Sequence, residues 1–348
     1  MRPLPVSARG LIAGGLVTGV LALTAAAAPA ALAAPAIPVF TPVPCSVAVL
    51  DVAIASAAPG AVLGLAPGCH YVLNAPLATP AVSLTILGDG ATIQRSFVAP
   101  AFDTLTVGPG RTVRISHLTV SNGGGALGRS AILNLGDLVL TGDSFVGNHG
   151  GPGGAIHSSG FLDVSNSQFT ANTALPPGGN GGAIENTGTA LVASSTFTGN
   201  RSAAFGGAFL STFKATLVND SFHGNSAVEG GGAVASSGVL NVVHGSFFGI
   251  GNSVTGPTGR GGALYTIGLS DVSDSLFFNN ASSDIGGAIA IDGGSLLLDH
   301  DSIADNSAAV AGGGIFRLAG TVTLLHTGVG FNHPNNCRPI FSVPGCFN

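Results

Sequence analysis

Four residues at one repeated position offer the clearest chance of chemistry in this chain: His244, Asp274, His300 and His326. They recur 30, 26 and 26 residues apart, with Asp299 and Asp301 beside the third. Imidazoles and a carboxylate stacked in a row form the donor set of a metal site or an acid/base relay. Earlier copies of the same position read Gly142, Asn166, Ser194 and Asn219. Glycine and asparagine dominate left-handed turn positions, and aspartate and histidine also tolerate them. The row is therefore read as the first residue of a two-residue turn, and no metal or other cofactor is assigned.

A second set follows each Gly-Gly-Ala-apolar step: His157, Glu185, Leu210, Ala235, Tyr265, Ala290 and Arg317. The copies differ here, as expected of an outward face. His157 and Glu185 would be neighbours on adjacent copies, within reach of a hydrogen bond. Such a pair suits general acid/base work or a carbohydrate contact, although a plain surface pair on a strand accounts for it as well. If this face binds a ligand, His157, Glu185, Tyr265 and Arg317 are the candidate contacts.

Sugar hydrolases place two or three carboxylates together in a cleft. Carboxylates facing one groove are sparse here, and Asp299 and Asp301 fall in an expected turn. No acid-rich strand stands opposite an Arg or Lys, as a lyase would need. Stacking residues for sugar are few: Tyr71, Tyr265 and no Trp.

What must position all of these residues is one repeated sentence. It reads Gly-Gly-Ala-apolar, a polar stretch, apolar-x-apolar, a polar turn, and Phe-x-x-Asn. The closing asparagines are Asn148, Asn172, Asn200, Asn225, Asn252, Asn280, Asn306 and Asn332, spaced 24 to 28 residues apart. A period in that range marks a stacked solenoid. Leu140, Val164, Val192, Leu217, Val242, Val272, Leu298 and Leu324 form one apolar column, and residues two positions earlier form another. Alternation at period two means strands with one face inward. Phe145, Phe169, Phe197, Phe222, Phe247, Phe277, Ile303 and Val329 form a third core column. The expected fold is all-β, a right-handed parallel β-helix of about 10–11 three-strand coils, roughly 50 Å long at the spacing of paired strands. The asparagines are expected to stack as a ladder inside a corner, bonding turn backbone.

The alternation of Gly-Gly-Ala-Ile and Phe-x-x-Asn over residues 124–332 resembles the repeat of the polymorphic outer membrane protein family of chlamydiae. The resemblance implies a surface-exposed adhesin delivered as an autotransporter. This chain departs from the family in reaching Asn348 soon after its last copy, with no β-barrel translocator. A free secreted β-helix is the expectation.

The remaining segments frame this array. Residues 1–33 read as a signal peptide, with basic Arg2 and Arg9, an apolar run over 11–23 and a small-x-small step at Ala31-Leu32-Ala33. Residues 34–44 read as a Pro/Ala-rich linker, 45–122 as a cap with irregular coils, 123–332 as the repeat, and 333–348 as a closing cap. Ser46 is placed as N-cap of a short capping helix to about Ala57, with Val47, Leu50 and Ile54 on one face. Four cysteines in an exported chain imply disulfides, and local pairing of Cys45 with Cys69 and Cys337 with Cys346 is the simplest of three arrangements. Beyond residue 33 the chain keeps nine basic and sixteen acidic residues, with Lys214 its single lysine. That balance excludes nucleic acid and anionic membrane as partners. No later stretch is apolar enough to span a bilayer. The functional expectation is a secreted, non-enzymatic β-helix that binds a surface polysaccharide or protein. The alternative is a carbohydrate-active enzyme. A third possibility is a rod that self-associates, and the sequence itself sets neither oligomeric state nor ligand.

Overall fold

The computed structural model describes residues 39–125, 128–248 and 251–348. The expected signal peptide and the first part of the linker lie outside these residues. From residue 39 onward the chain forms a parallel β-helix, in which each strand pairs with its counterpart one coil earlier and one coil later. The coil from residue 156 is typical. Ile156–Ser158 and Phe161–Ser165 lie in a first sheet, Gln168–Thr170 in a second and Thr173–Ala174 in a third. The second sheet has eleven strands and the third seven, while the first sheet reaches one level further through Phe40–Val43, so the solenoid has about 12 turns against the expected 10–11.

Each coil of this kind carries four strands on three faces rather than three strands. The first face is broken at pairs such as Ser159-Gly160, where a Cβ on Gly160 would overlap the carbonyl of Gly136 on the coil below. In the last two coils the break heals, and Ile289–Asp299 and Ile315–Leu325 run continuously through both segments.

Register explains the core. Leu138 pairs with Leu162 and Leu140 with Val164, and the four side chains are fully buried. On the second face Phe145, Phe169, Phe197, Phe222, Phe247 and Phe277 form one continuous stack, with ring centroids 4.6 to 5.0 Å apart and planes within 9° of parallel. That separation is the spacing of neighbouring strands, so the backbone ladder itself sets the ring stacking.

The asparagine ladder forms in the corner after this face. Asn148 Nδ2 donates to Asn172 Oδ1 at 2.9 Å and to the carbonyl of Val120 at 3.0 Å, and the pattern repeats through Asn332. Asn336 terminates the ladder, its Oδ1 accepting from Asn332 N and Nδ2, each at 3.2 Å.

Both ends are covered. The helix α1, Val47–Ala55, begins at Ser46, whose side chain accepts from Val49 N. Its residues Leu50 and Ile54 are fully buried over the first coil, a contribution of about 2 kcal/mol each. The expected linker over 34–44 is extended at its far end: Phe40–Val43 pairs with Val62–Leu65 and lengthens the first sheet. Its prolines are tolerated because this is an edge. At the other end Cys337–Arg338 pairs with Ile315 and Phe316. The two disulfides are Cys45–Cys69 and Cys337–Cys346, the local pairing. No helix among the described residues is long and apolar enough to cross a membrane.

Candidate functional site

The turn after the five-residue strand takes a left-handed residue in successive coils: φ is 51° at Asn166, 55° at His244, 52° at Asp274, 59° at His300 and 48° at His326. Backbone geometry therefore governs which residue types occupy this row. Within that constraint the four expected residues are not one site. His244 and Asp274 lie on the two preceding coils and are not among the donors that converge, whereas the rings of His300 and His326 stack with centroids 4.5 Å apart. Asp299 joins them, its Oδ1 lying 2.8 Å from His300 Nδ1 and 3.3 Å from His326 Nδ1. Asp301 turns inward instead and accepts the backbone N–H of Ser275 at 2.7 Å.

The column after Gly-Gly-Ala-apolar corrects the expectation of an outward face. Glu185, Leu210, Ala235, Tyr265 and Ala290 are all buried. The cause is the segment that precedes each Gly-Gly pair. Phe205, Gly230, Arg260, Ile285 and Ala311 bridge from coil to coil as a parallel row and lie over the column. Leu210, Ala235, Tyr265 and Ala290 then form a second, smaller core, with Phe205 packed against it. Large and small residues alternate along this row, which accounts for the variability seen in the sequence.

His157 and Glu185 are register partners on adjacent strands, as expected, but no hydrogen bond joins their side chains among the described residues. Burial lowers the pKa of His157. Burial pushes the Glu185 carboxyl up to about 7, against a hydrogen bond from Asn180, and its Oε2 has no partner. Tyr265 donates from its hydroxyl to Asp292 at 3.2 Å, and Arg260 pairs with the same carboxylate oxygen at 2.6 Å. Arg317 does not belong to this column. Phe316 takes the place beside Ala290, and Arg317 pairs with Ile291 and donates to the Gly320 carbonyl at 2.7 Å. The copy Gly312-Gly313-Gly314-Ile315 puts Phe316, not Arg317, directly after its apolar residue.

A second polar ladder has no counterpart in the sequence reading. The residue after the left-handed turn is buried and caps the coil before it: Asp143 accepts from Leu118 N, Ser167 from Asp143 N, Ser195 from Ser167 N, Asp220 from Ser195 N and Asp301 from Ser275 N. Desolvation pushes Asp143 up to about 6, and Asp220 and Asp301 up to about 7, against their backbone donors. These carboxylates face the interior and touch no cleft.

The exposed first face carries the most unusual surface feature. Immediately before the five-residue strands the column reads Gly136, Gly160, Gly188, Phe213, Gly238, Gly268, Gly294 and Gly320. One aromatic interrupts seven glycines, and it is 60 % exposed. Phe213 and the exposed Phe161 bracket a notch of about 420 Å³ floored by Thr187, Gly188 and Thr189. Val239, Ile267 and Leu269 continue the exposed apolar surface along the following coils. A cleft of about 870 Å³ lies at the N-terminal end of the described residues against Phe40, Pro42, Leu87 and Asp89, with one carboxylate in its lining.

The fold defines the class, a parallel β-helix with covered ends. Compared with protein-family models and with curated proteins, the sequence matches none.

Proposed function

We propose that this chain is an exported, non-enzymatic β-helix that binds a protein on a cell surface through its first face. The observation that carries the reading is Phe213 in a column of glycines. The coil needs no side chain there, since glycine serves in seven other copies, so burial and packing do not account for an exposed ring. Phe161, Val239, Ile267 and Leu269 extend the apolar surface over four coil steps, about 19 Å. Exposed apolar side chains gathered on one face in this way mark protein contacts, and a notch between two aromatics suits one anchoring side chain of a partner. A charge interrupts it, the chain's single lysine, Lys214, which is exposed beside Phe213 and pairs in register with Val239.

The same arrangement weighs against a carbohydrate-active enzyme. Acid/base hydrolysis of a glycoside needs two carboxylates about 5 to 9.5 Å apart in one cleft. Glu185 is enclosed by the preceding segment, and the carboxylates of the second ladder face the core. Two disulfides suit an oxidising compartment, and the Gly-Gly-Ala/Phe-x-x-Asn repeat, which resembles the polymorphic outer membrane protein family, adds support for adhesion. A polysaccharide panel assayed for new reducing ends and unsaturated products tests the reading. No turnover is expected, and turnover lost in His157→Ala would overturn it.

A further inference from the structure

We infer that Asp299, His300 and His326 form a surface site for a divalent transition ion of the zinc type. Three donor atoms, one carboxylate oxygen and two imidazole nitrogens, lie within 4.8 Å of one another. The oxygen is already 2.8 and 3.3 Å from the two Nδ1 atoms. Donors bound tetrahedrally to zinc at about 2.0–2.1 Å sit about 3.4 Å apart, so a small rotation of exposed rings completes the triangle.

The left-handed turn permits histidine, but it does not call for Asp299. Along the strand position just before the turn the copies read Thr141, Ser165, Ala193, Val218, Val243, Ser273, Asp299 and Leu325. A carboxylate occurs there once, and it occurs where its oxygen reaches both stacked histidines. Its strand is fixed on both sides: Asp299 pairs with Leu325 on one neighbour and with Ser273 on the other. His300 N donates to the Leu325 carbonyl at 3.0 Å, which locks the spacing of the two histidines to one coil. Two nitrogen donors and a single carboxylate favour zinc, copper or nickel over calcium or magnesium, which take oxygen sets. The open side leaves room for water or for a donor from another molecule.

The test is calorimetric titration of the intact chain with zinc chloride, with cobalt(II) absorption as a second readout. The variant is His300→Asn with His326→Asn, because asparagine serves at Asn166 and Asn219 in the same turn and the coil is preserved. His244→Asn is the control. The wild-type chain should bind one zinc with a dissociation constant on the order of 10 µM, and the double variant should bind at least about tenfold more weakly. Asp299→Asn should also weaken binding, His244→Asn should not, and cobalt should give the visible bands of a low-symmetry site. Absence of binding by the wild-type chain at millimolar zinc, or equal binding by the double variant, would overturn the assignment.

Discussion

Asn172 and Asn200 are joined twice across one coil step: Oδ1 of Asn200 accepts both the backbone N–H and the side-chain Nδ2 of Asn172, each at 3.0 Å. Asn200 in turn donates to the Phe169 carbonyl at 2.9 Å and to Asn225 at 2.9 Å. All of these groups are buried, and an unpaired buried donor or acceptor costs about 1–3 kcal/mol. Asn200→Leu orphans at least two of them. Denaturant unfolding should show a loss of about 3 kcal/mol or more, and a loss below about 1 kcal/mol would mean the ladder is incidental.

The phenylalanine stack answers to a different force. Phe197 is fully buried between Phe169 and Phe222, with ring centroids 4.8 and 4.9 Å away. Phe197→Ala leaves a cavity that the rigid coils cannot close, at a cost of about 3–5 kcal/mol. Phe197→Leu should cost markedly less, since volume is largely kept. Thermal melting of the two variants side by side reads the difference.

The stability contributed by the buried aspartates should fall as pH rises from about 4 to about 7, against the opposite pull of His149 and His157, whose pKa burial lowers. Asp220 and Asp301 are pushed up to about 7 and Asp143 to about 6, from an ordinary 3.8. Across that window these carboxyls hold protons in the folded chain that the unfolded chain has released, so their titration favours unfolding as the pH rises. Melting temperature measured against pH checks the slope. Asp220→Ser introduces the residue that the ladder itself uses at Ser195 and Ser275, and it should remove its share of that fall.

At the left-handed turn, chemistry is separable from conformation. His244 has φ of 55°, so His244→Asn should be neutral, whereas His244→Val should destabilise by about 1–2 kcal/mol through its Cβ. Equal melting temperatures for the two variants would remove the turn explanation for this row.

The repeated columns are legible in the sequence because each coil reuses one backbone, and a reused backbone selects the same residue type every time. The asparagine ladder obeys that rule throughout and the phenylalanine column for six copies before Ile303 and Val329, whereas the left-handed row shares a backbone conformation that Gly, Asn, Ser, Asp and His all fill. The covering row over Leu210 and Tyr265 follows no such rule. Phe205, Gly230, Arg260 and Ile285 share a position in space but no residue type, so no period betrays them, and the column beneath reads as surface. Arg317 is misaligned for a related reason: a Gly-Gly-Gly copy offers no alanine to fix the count. The Asp143–Asp301 ladder is hidden because Ser and Asp mix in it without order and Gly245 interrupts it, and hydrogen-bonding ability rather than size or charge is what Ser and Asp share. Phe213 can be read only by comparing a column of glycines, and its meaning appears once its ring is seen to be exposed.

The most direct measurement of the binding account is the adhesion of Phe213→Gly beside the wild-type chain. Both would be labelled and titrated onto intact bacterial and epithelial cells, before and after protease or periodate treatment of those cells. The substitution restores the residue found in the seven other copies, so melting temperature should hold. Saturable, protease-sensitive and periodate-resistant binding is expected, and Phe213→Gly should weaken it by at least about tenfold, the loss expected of one anchoring aromatic. Unchanged binding by Phe213→Gly, or binding abolished by periodate alone, would contradict it.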